Sequence, residues 1–241
     1  MWLYNPEVNM SNFVQDGPVL DNQYKADHLL QSYLRRVMPS EVFNSTEPDL
    51  INFGERVVSD VLAMAQDAEK HPPKLEQYSA WGKREDKLIV SKGWEALKEV
   101  CAQEGLIAIS YEKKYDEFSR IYQIAKFYLF HPSSAFYTCP AGMTDGAVRI
   151  IELFGSDSLK EEVLPRLLSR DPKTFWRSGQ WMTEWRGGSD LANTIETVAR
   201  WQDGEYRLYG EKSFTSGITA DVAINGMEAL KALNSALEDK P

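Results

Sequence analysis

The chain has 241 residues, of which 43% are hydrophobic, with a formal net charge of -9 and two cysteines. That length and apolar share support a core and one or two domains, while the acidic balance argues against a protein that grips nucleic-acid phosphates through a basic patch. Cys101 and Cys139 make neither a CxxC pair nor a disulfide framework, and with His28, His71 and His131 far apart no zinc site is expected.

Residues 1–23 show little periodicity and read as an irregular arm. Met1 to Val14 has neither the basic-then-apolar order of a secretory signal nor the Arg-rich make-up of a mitochondrial presequence, and Asp239-Lys240-Pro241 is no peroxisomal address. No stretch of about 18 apolar residues is present to span a bilayer, so a soluble, cytoplasmic protein without membrane contact is expected. From Asp27 to Met38, Leu29, Leu30, Tyr33, Leu34 and Val37 recur at helical spacing, and Pro39 ends the run. A longer helix is expected from Glu47 to His71, capped by Thr46 with Pro48 near its start, and stopped by His71-Pro72-Pro73.

Residues 72–90 read as a connector containing Tyr78, Trp81 and Gly82, with Lys83-Arg84 as solvated surface beside Glu85 and Asp86. Ser91 opens the next helix, which carries Trp94, Leu97, Val100 and Cys101 and stops near Gly105. Helical spacing returns from Tyr115 to Phe130 and again from Ala141 to Phe154. In the second, Ala141, Gly142, Gly146 and Ala147 let a neighbouring helix or a ligand come close, helix packing being the plainer reading. Ser158 with Glu161 forms a capping box for a helix running to about Ser169.

The pattern changes after Asp171-Pro172. Residues 194–201 alternate, with Ile195, Thr197, Ala199 and Trp201 on one face, and Asp203-Gly204 signals a tight hairpin returning through Glu205 to Tyr209. From Met227 a helical pattern resumes. The fold class is therefore α+β: an arm (1–23), an all-α domain (24–171), an incomplete antiparallel β-domain (172–226) and a divergent helical tail (227–241). The few strands leave an open edge, so poor folding of the isolated chain is expected.

Two segments carry candidate chemistry. The first, Gln180-Trp181-Met182-Thr183-Glu184-Trp185-Arg186-Gly187-Gly188-Ser189-Asp190, reads as a strand ending in a polar turn. Its glycines and Ser hydroxyl could cradle a phosphate, although on spacing alone a plain Gly-Gly turn is the favoured reading. The second, Gly210-Glu211-Lys212-Ser213-Phe214-Thr215-Ser216-Gly217-Ile218-Thr219-Ala220-Asp221, is a short strand and turn rich in hydroxyls.

In combination, M-T-E-x-x-G-G-S-D, a D-G hairpin, then G-x-K-x-F-x-S and A-D closely resembles the middle β-domain of the acyl-CoA dehydrogenase family. Upstream, Phe13-Val14-Gln15-Asp16, Asp21-Asn22-Gln23-Tyr24, Ser32-Tyr33-Leu34-Arg35-Arg36, Phe53-Gly54-Glu55-Arg56-Val57-Val58 and Cys139 to Ala147 are similar to its AidB-like branch. The resemblance implies an FAD-dependent oxidoreductase acting on the CH-CH bond of an acyl-CoA-type thioester, and commonly a homo-oligomer. It implies Met182 and Thr183 beside the flavin ring, Gly188 and Ser189 at the pyrophosphate, Phe214 at the family's aromatic position and Ser216 at the hydroxyl near flavin N5. Phe214 replaces the usual Trp, Ser216 the usual Thr, and Trp185 the usual Pro; Thr215 is an alternative donor.

The family's proton-abstracting carboxylate comes from a C-terminal helical bundle that follows the β-domain, and this bundle is absent from the chain. Glu184 lies in the flavin-binding turn and is read as a structural residue, so no catalytic residue is assigned. The expectation is a truncated flavoprotein without dehydrogenase activity. A non-catalytic flavin-binding or interaction module and an AidB-like alkylation-response protein are the alternatives.

Overall fold

A computed structural model describes residues 15–225; the arm as far as residue 14 and the tail from residue 226 lie outside the described residues. Asn22 and Asp27 accept from the backbone amides of Lys25 and Leu30, so a short α1 (Gln23–Ala26) leads directly into α2 (His28–Val37). Leu34 is buried and Leu30 and Val37 pack against the core. Leu29 and Tyr33, assigned to the same face from spacing, turn outward.

The long helix expected from Glu47 begins earlier and breaks. α3 (Ser40–Arg56) starts after Pro39 and carries Pro48 in its interior, and α4 (Asp60–Lys70) follows a turn. Thr46 does not cap a helix; its hydroxyl donates back to the carbonyl of Val42 at 3.0 Å. Phe43, Thr46, Leu50, Phe53 and Val57 all lie on one buried face. Burial of Phe43 and Leu50 outweighs a proline defect of about 3 kcal/mol. Near the break, the Ser59 hydroxyl bonds the carbonyls of Glu55 and Arg56.

The expected connector is instead a β-hairpin, β1 (Lys74–Tyr78) pairing antiparallel with β2 (Arg84–Ile89). Nearly every residue in it is exposed, so no apolar alternation marks it in the sequence. α5 (Lys92–Gln103) is capped by Ser91 as expected and packs on α4 so tightly that a Cβ on Gly93 would stand 2.2 Å from the Met64 carbonyl. A short α6 (Ala108–Glu112) leads to α7 (Phe118–Phe130), and α8 is Thr138–Phe154. On α8, Ala141 and Ala147 are buried in helix packing, while Gly142 and Gly146 face open space or, at 3.9 Å, Gln180.

The capping box assigned to Ser158 is displaced by two residues. Ser156 accepts from the Leu159 amide to open α9 (Asp157–Glu162), and α10 (Leu164–Leu167) follows. Lys126, 2% exposed, bridges Asp49 at 2.8 Å and Glu104 at 2.7 Å and lies over the Phe53 ring. It ties α3 and α7 to the segment after α5.

In the β-region, β3 (Ser178–Gln180) is much shorter than the sequence suggests, and α11 (Leu191–Thr194) takes the start of the expected alternating run. β4 (Val198–Gln202) and β5 (Glu205–Tyr209) form the expected antiparallel hairpin. Asp203 and Gly204 both have positive φ, as a type I′ turn requires, and Trp201 packs edge-on against Tyr206. β6 (Val222–Ile224) pairs with β3 in parallel, because the long excursion between them brings the chain back in the same direction. Among the described residues no helix is long and apolar enough to cross a membrane.

Candidate functional site

The two motifs lie side by side. The Thr183 carbonyl accepts from the Ser213 amide at 2.9 Å, and the Lys212 ammonium lies 3.4 Å from the Met182 carbonyl. Met182 and Thr183 are thereby set against the segment carrying Phe214 and Ser216. No strand forms within Gly210–Asp221, contrary to the short strand expected there. Positive φ at Phe214 and Gly217 breaks the extended geometry a ladder needs.

Glu184 and Lys212 form the electrostatic centre of this junction. The Glu184 carboxylate is buried and accepts from Lys212 at 2.7 Å, from the backbone amides of Glu196 at 2.5 Å and Thr197 at 3.0 Å, and from the Thr197 hydroxyl. Burial raises its pKa, but the Lys212 hydrogen bond and the three other donors outweigh that and hold it down at about 2. A buried carboxylate held this way is ionised at neutral pH and fixed to the turn, Oε1 by Lys212 and Thr197 and Oε2 by the Glu196 amide. Its partner Lys212 lies in the second motif, and a lysine 28 positions away gives no local sign of pairing.

The turn after Glu184 closes through the Gly187 amide onto the Glu184 carbonyl, and a Cβ on Gly187 would strike the Thr194 hydroxyl at 2.4 Å. Gly188 has φ +49 with nothing within 4 Å of a Cβ position, and Ser189 beside it is exposed. An open left-handed glycine followed by a hydroxyl is a surface that an anionic group can approach closely. Phe214 is 82% exposed, an unusual position for a large aromatic ring with φ +54. Thr183, Ser213 and Thr215 are half-buried, and Ser216 is exposed. The donor set therefore fits a flat aromatic group with an anionic tail. Open hollows among the described residues lie on the helical layer around α2 and α7 and beside Arg120 and Arg149.

Arg177 and Asp221 anchor the second motif and were not singled out from the sequence as a pair. The Arg177 amide donates to the Asp221 carboxylate at 2.9 Å, the Asp221 amide returns to the Arg177 carbonyl at 3.0 Å, and the Arg177 guanidinium reaches the Thr219 carbonyl at 3.0 Å. Lys98 and Glu95 of α5 stand within 4.0 Å of this pair, so the anchor rests on the helical layer.

Residues 15–172 match the family model described as the adaptive response protein AidB N-terminal domain. The chain is 46% identical over 231 residues to acyl-CoA dehydrogenase family member 11 of Caenorhabditis elegans, covering 94% of this chain and 37% of that protein. It is similar in structure to Caenorhabditis elegans ACDH-11 in complex with C11-CoA, with TM-score 0.84 and 44% identity, over 93% of this chain and 38% of that one. It is also similar to the structure named Bd2924 apo-form, with TM-score 0.83 and 45% identity, over 89% of this chain and 44% of that one. The chain thus spans less than half the length of these relatives.

Proposed function

Because the chain belongs to the acyl-CoA dehydrogenase family, in its AidB-like branch, we propose that it supplies the FAD-holding surface of an acyl-CoA dehydrogenase-type oxidoreductase. The observation that carries this reading is the meeting of the two motifs where the Ser213 amide donates to the Thr183 carbonyl, next in the chain to the exposed Phe214 and Ser216. Met182, Thr183, Phe214 and Ser216 would hold the flavin ring, and Gly188 and Ser189 the pyrophosphate. FAD, when bound, supplies the hydride acceptor for oxidation of a CH-CH bond. This chain's residues orient and electrostatically support it. The hydroxyl of Ser216 donates where negative charge gathers on the ring, and the backbone at Gly188 offers donors to phosphate. The proposed substrate is an acyl-CoA-type thioester, in keeping with the C11-CoA held by the related ACDH-11.

Proton abstraction requires a carboxylate free to reach the substrate. Glu184, fully engaged with Lys212 and Thr197, does not meet that need. This chain's surface is proposed to hold flavin, and a Glu184 tied to Lys212 and Thr197 also favours a second reading, a flavin-binding module that does not dehydrogenate acyl-CoA. The test is the visible spectrum of the chain after incubation with FAD and gel filtration, followed by acyl-CoA-dependent dye reduction. Flavin bands co-eluting with the protein, with no dye reduction, are expected. A folded chain that retains no flavin would refute the proposal.

A further inference from the structure

β3 ends in Gln180, and Trp181 continues its ladder, donating its amide to the Ile224 carbonyl at 2.8 Å. Side chains two apart on an extended strand point to the same face, so the Trp181 indole folds back over the position of Gly179. It reaches the other motif there, its Nε1 donating to the Ser216 carbonyl at 3.0 Å, 35 residues further along the chain. The arrangement depends on two glycines. A Cβ on Gly179 would stand 2.8 Å from the indole Nε1 and 3.0 Å from Cε2. A Cβ on Gly217 would stand 3.0 Å from Met143 and 3.9 Å from the Cα of Gly179, and Gly217 also has φ +68.

The Ser216 segment has little else to fix it. It forms no strand, turns on positive φ at Phe214 and Gly217, and keeps Phe214 exposed. Its far end is clamped by Arg177 at Thr219 and Asp221, and its near end by Ser213 on Thr183. Between those two anchors the indole is the side chain that holds the backbone at Ser216.

We propose that Trp181 is a positioning residue: its indole N–H, admitted by the bare Cα of Gly179, sets the direction in which residues 214–217 present Phe214 and the Ser216 hydroxyl to the flavin. This rests on the flavin-holding reading above, but part of it can be read without flavin. Trp181→Phe keeps an aromatic ring and removes the N–H together with the five-membered ring that carries it, whereas Gly179→Ala keeps the donor and displaces the ring.

Amide hydrogen exchange of the full chain without FAD is the first readout. In both variants the Ser216 and Ala220 amides, bonded to Phe214 and Gly217, should exchange about fivefold faster, the size of one neutral hydrogen bond, with α5 and α7 unchanged. FAD titration is the second, with a Kd weakened by a similar factor and a shifted visible spectrum of the bound flavin in both variants. Wild-type exchange rates in both variants overturn the clamp. Faster exchange with wild-type FAD affinity and spectrum overturns its role toward flavin. A wild-type chain that binds no FAD overturns the functional reading on which that role rests, and the exchange result then stands apart from it.

Discussion

Replacing Glu184 by Gln keeps the shape of a buried side chain and deletes its charge. In the native protein that carboxylate faces four donors: the Lys212 ammonium, the Thr197 hydroxyl and two backbone amides. The amide of Gln would turn an NH₂ toward one of them and leave the Lys212 ammonium, 10% exposed, without its counter-charge. Lys212 and the other three donors hold the Glu184 carboxyl down from 4.5 to about 2, and breaking one side of a buried pair costs about 3–5 kcal/mol. The folded pKa lies below the unfolded one. The contribution is therefore fully present above pH 4.5 and is lost as pH falls toward 2. Amide exchange at Glu196 and Thr197 reports it locally. Glu184→Gln at pH 7 should accelerate both amides on the order of a hundredfold, and wild type should approach the variant, after correction for intrinsic rates, between pH 4.5 and 2. Adding Lys212→Met to Glu184→Gln should restore part of the loss, because neither charge is then stranded. Exchange in Glu184→Gln within threefold of wild type at neutral pH would refute the assignment of this pair as the junction's anchor.

Lys126→Met leaves Asp49 and Glu104 without their shared cation; urea unfolding at pH 7 should show a loss of about 3 kcal/mol, whereas a change under 1 kcal/mol would mean that Arg56, 2.6 Å from Glu104, and the Tyr122 hydroxyl, which donates to Asp49, suffice. Gly93→Ala drives a methyl into the Met64 carbonyl and should lower stability by about 2 kcal/mol or more in the same assay, with a neutral result ruling out the close α4–α5 contact. Burial pushes the Cys101 thiol up to about 12, so at pH 8 a thiol reagent should label the half-buried Cys139 in the native chain and Cys101 only on unfolding; equal rates would contradict the packing around α5. Trp81→Ser, at a hairpin position 95% exposed, should leave stability within about 0.5 kcal/mol by thermal melt.

Much of the fold was legible because it is encoded locally. Apolar spacing located α2, α5, α7 and α8, Ser91 marked a cap, and Asp203-Gly204 marked the hairpin, since each depends on residues within a few positions of one another. The combined motifs likewise indicated the family and the AidB-like branch, through residue types whose order is a property of the chain alone. The start and break of α3 were not legible. Thr46 and Pro48 carry the local marks of a helix beginning, and only burial of Phe43 beneath the neighbouring helices extends the helix back to Ser40. The β1–β2 hairpin escaped for the opposite reason, because strands exposed on both faces leave no alternation to read. The candidate site divides in the same way. The resemblance carried by the combined motifs singled out Met182, Thr183, Gly188, Ser189, Phe214 and Ser216 as candidates. The tertiary fold alone decided that Glu184 meets Lys212 and Trp181 meets Ser216, 28 and 35 residues apart. Contacts at that separation are chosen by which backbone paths close around the core, and no local pattern records them.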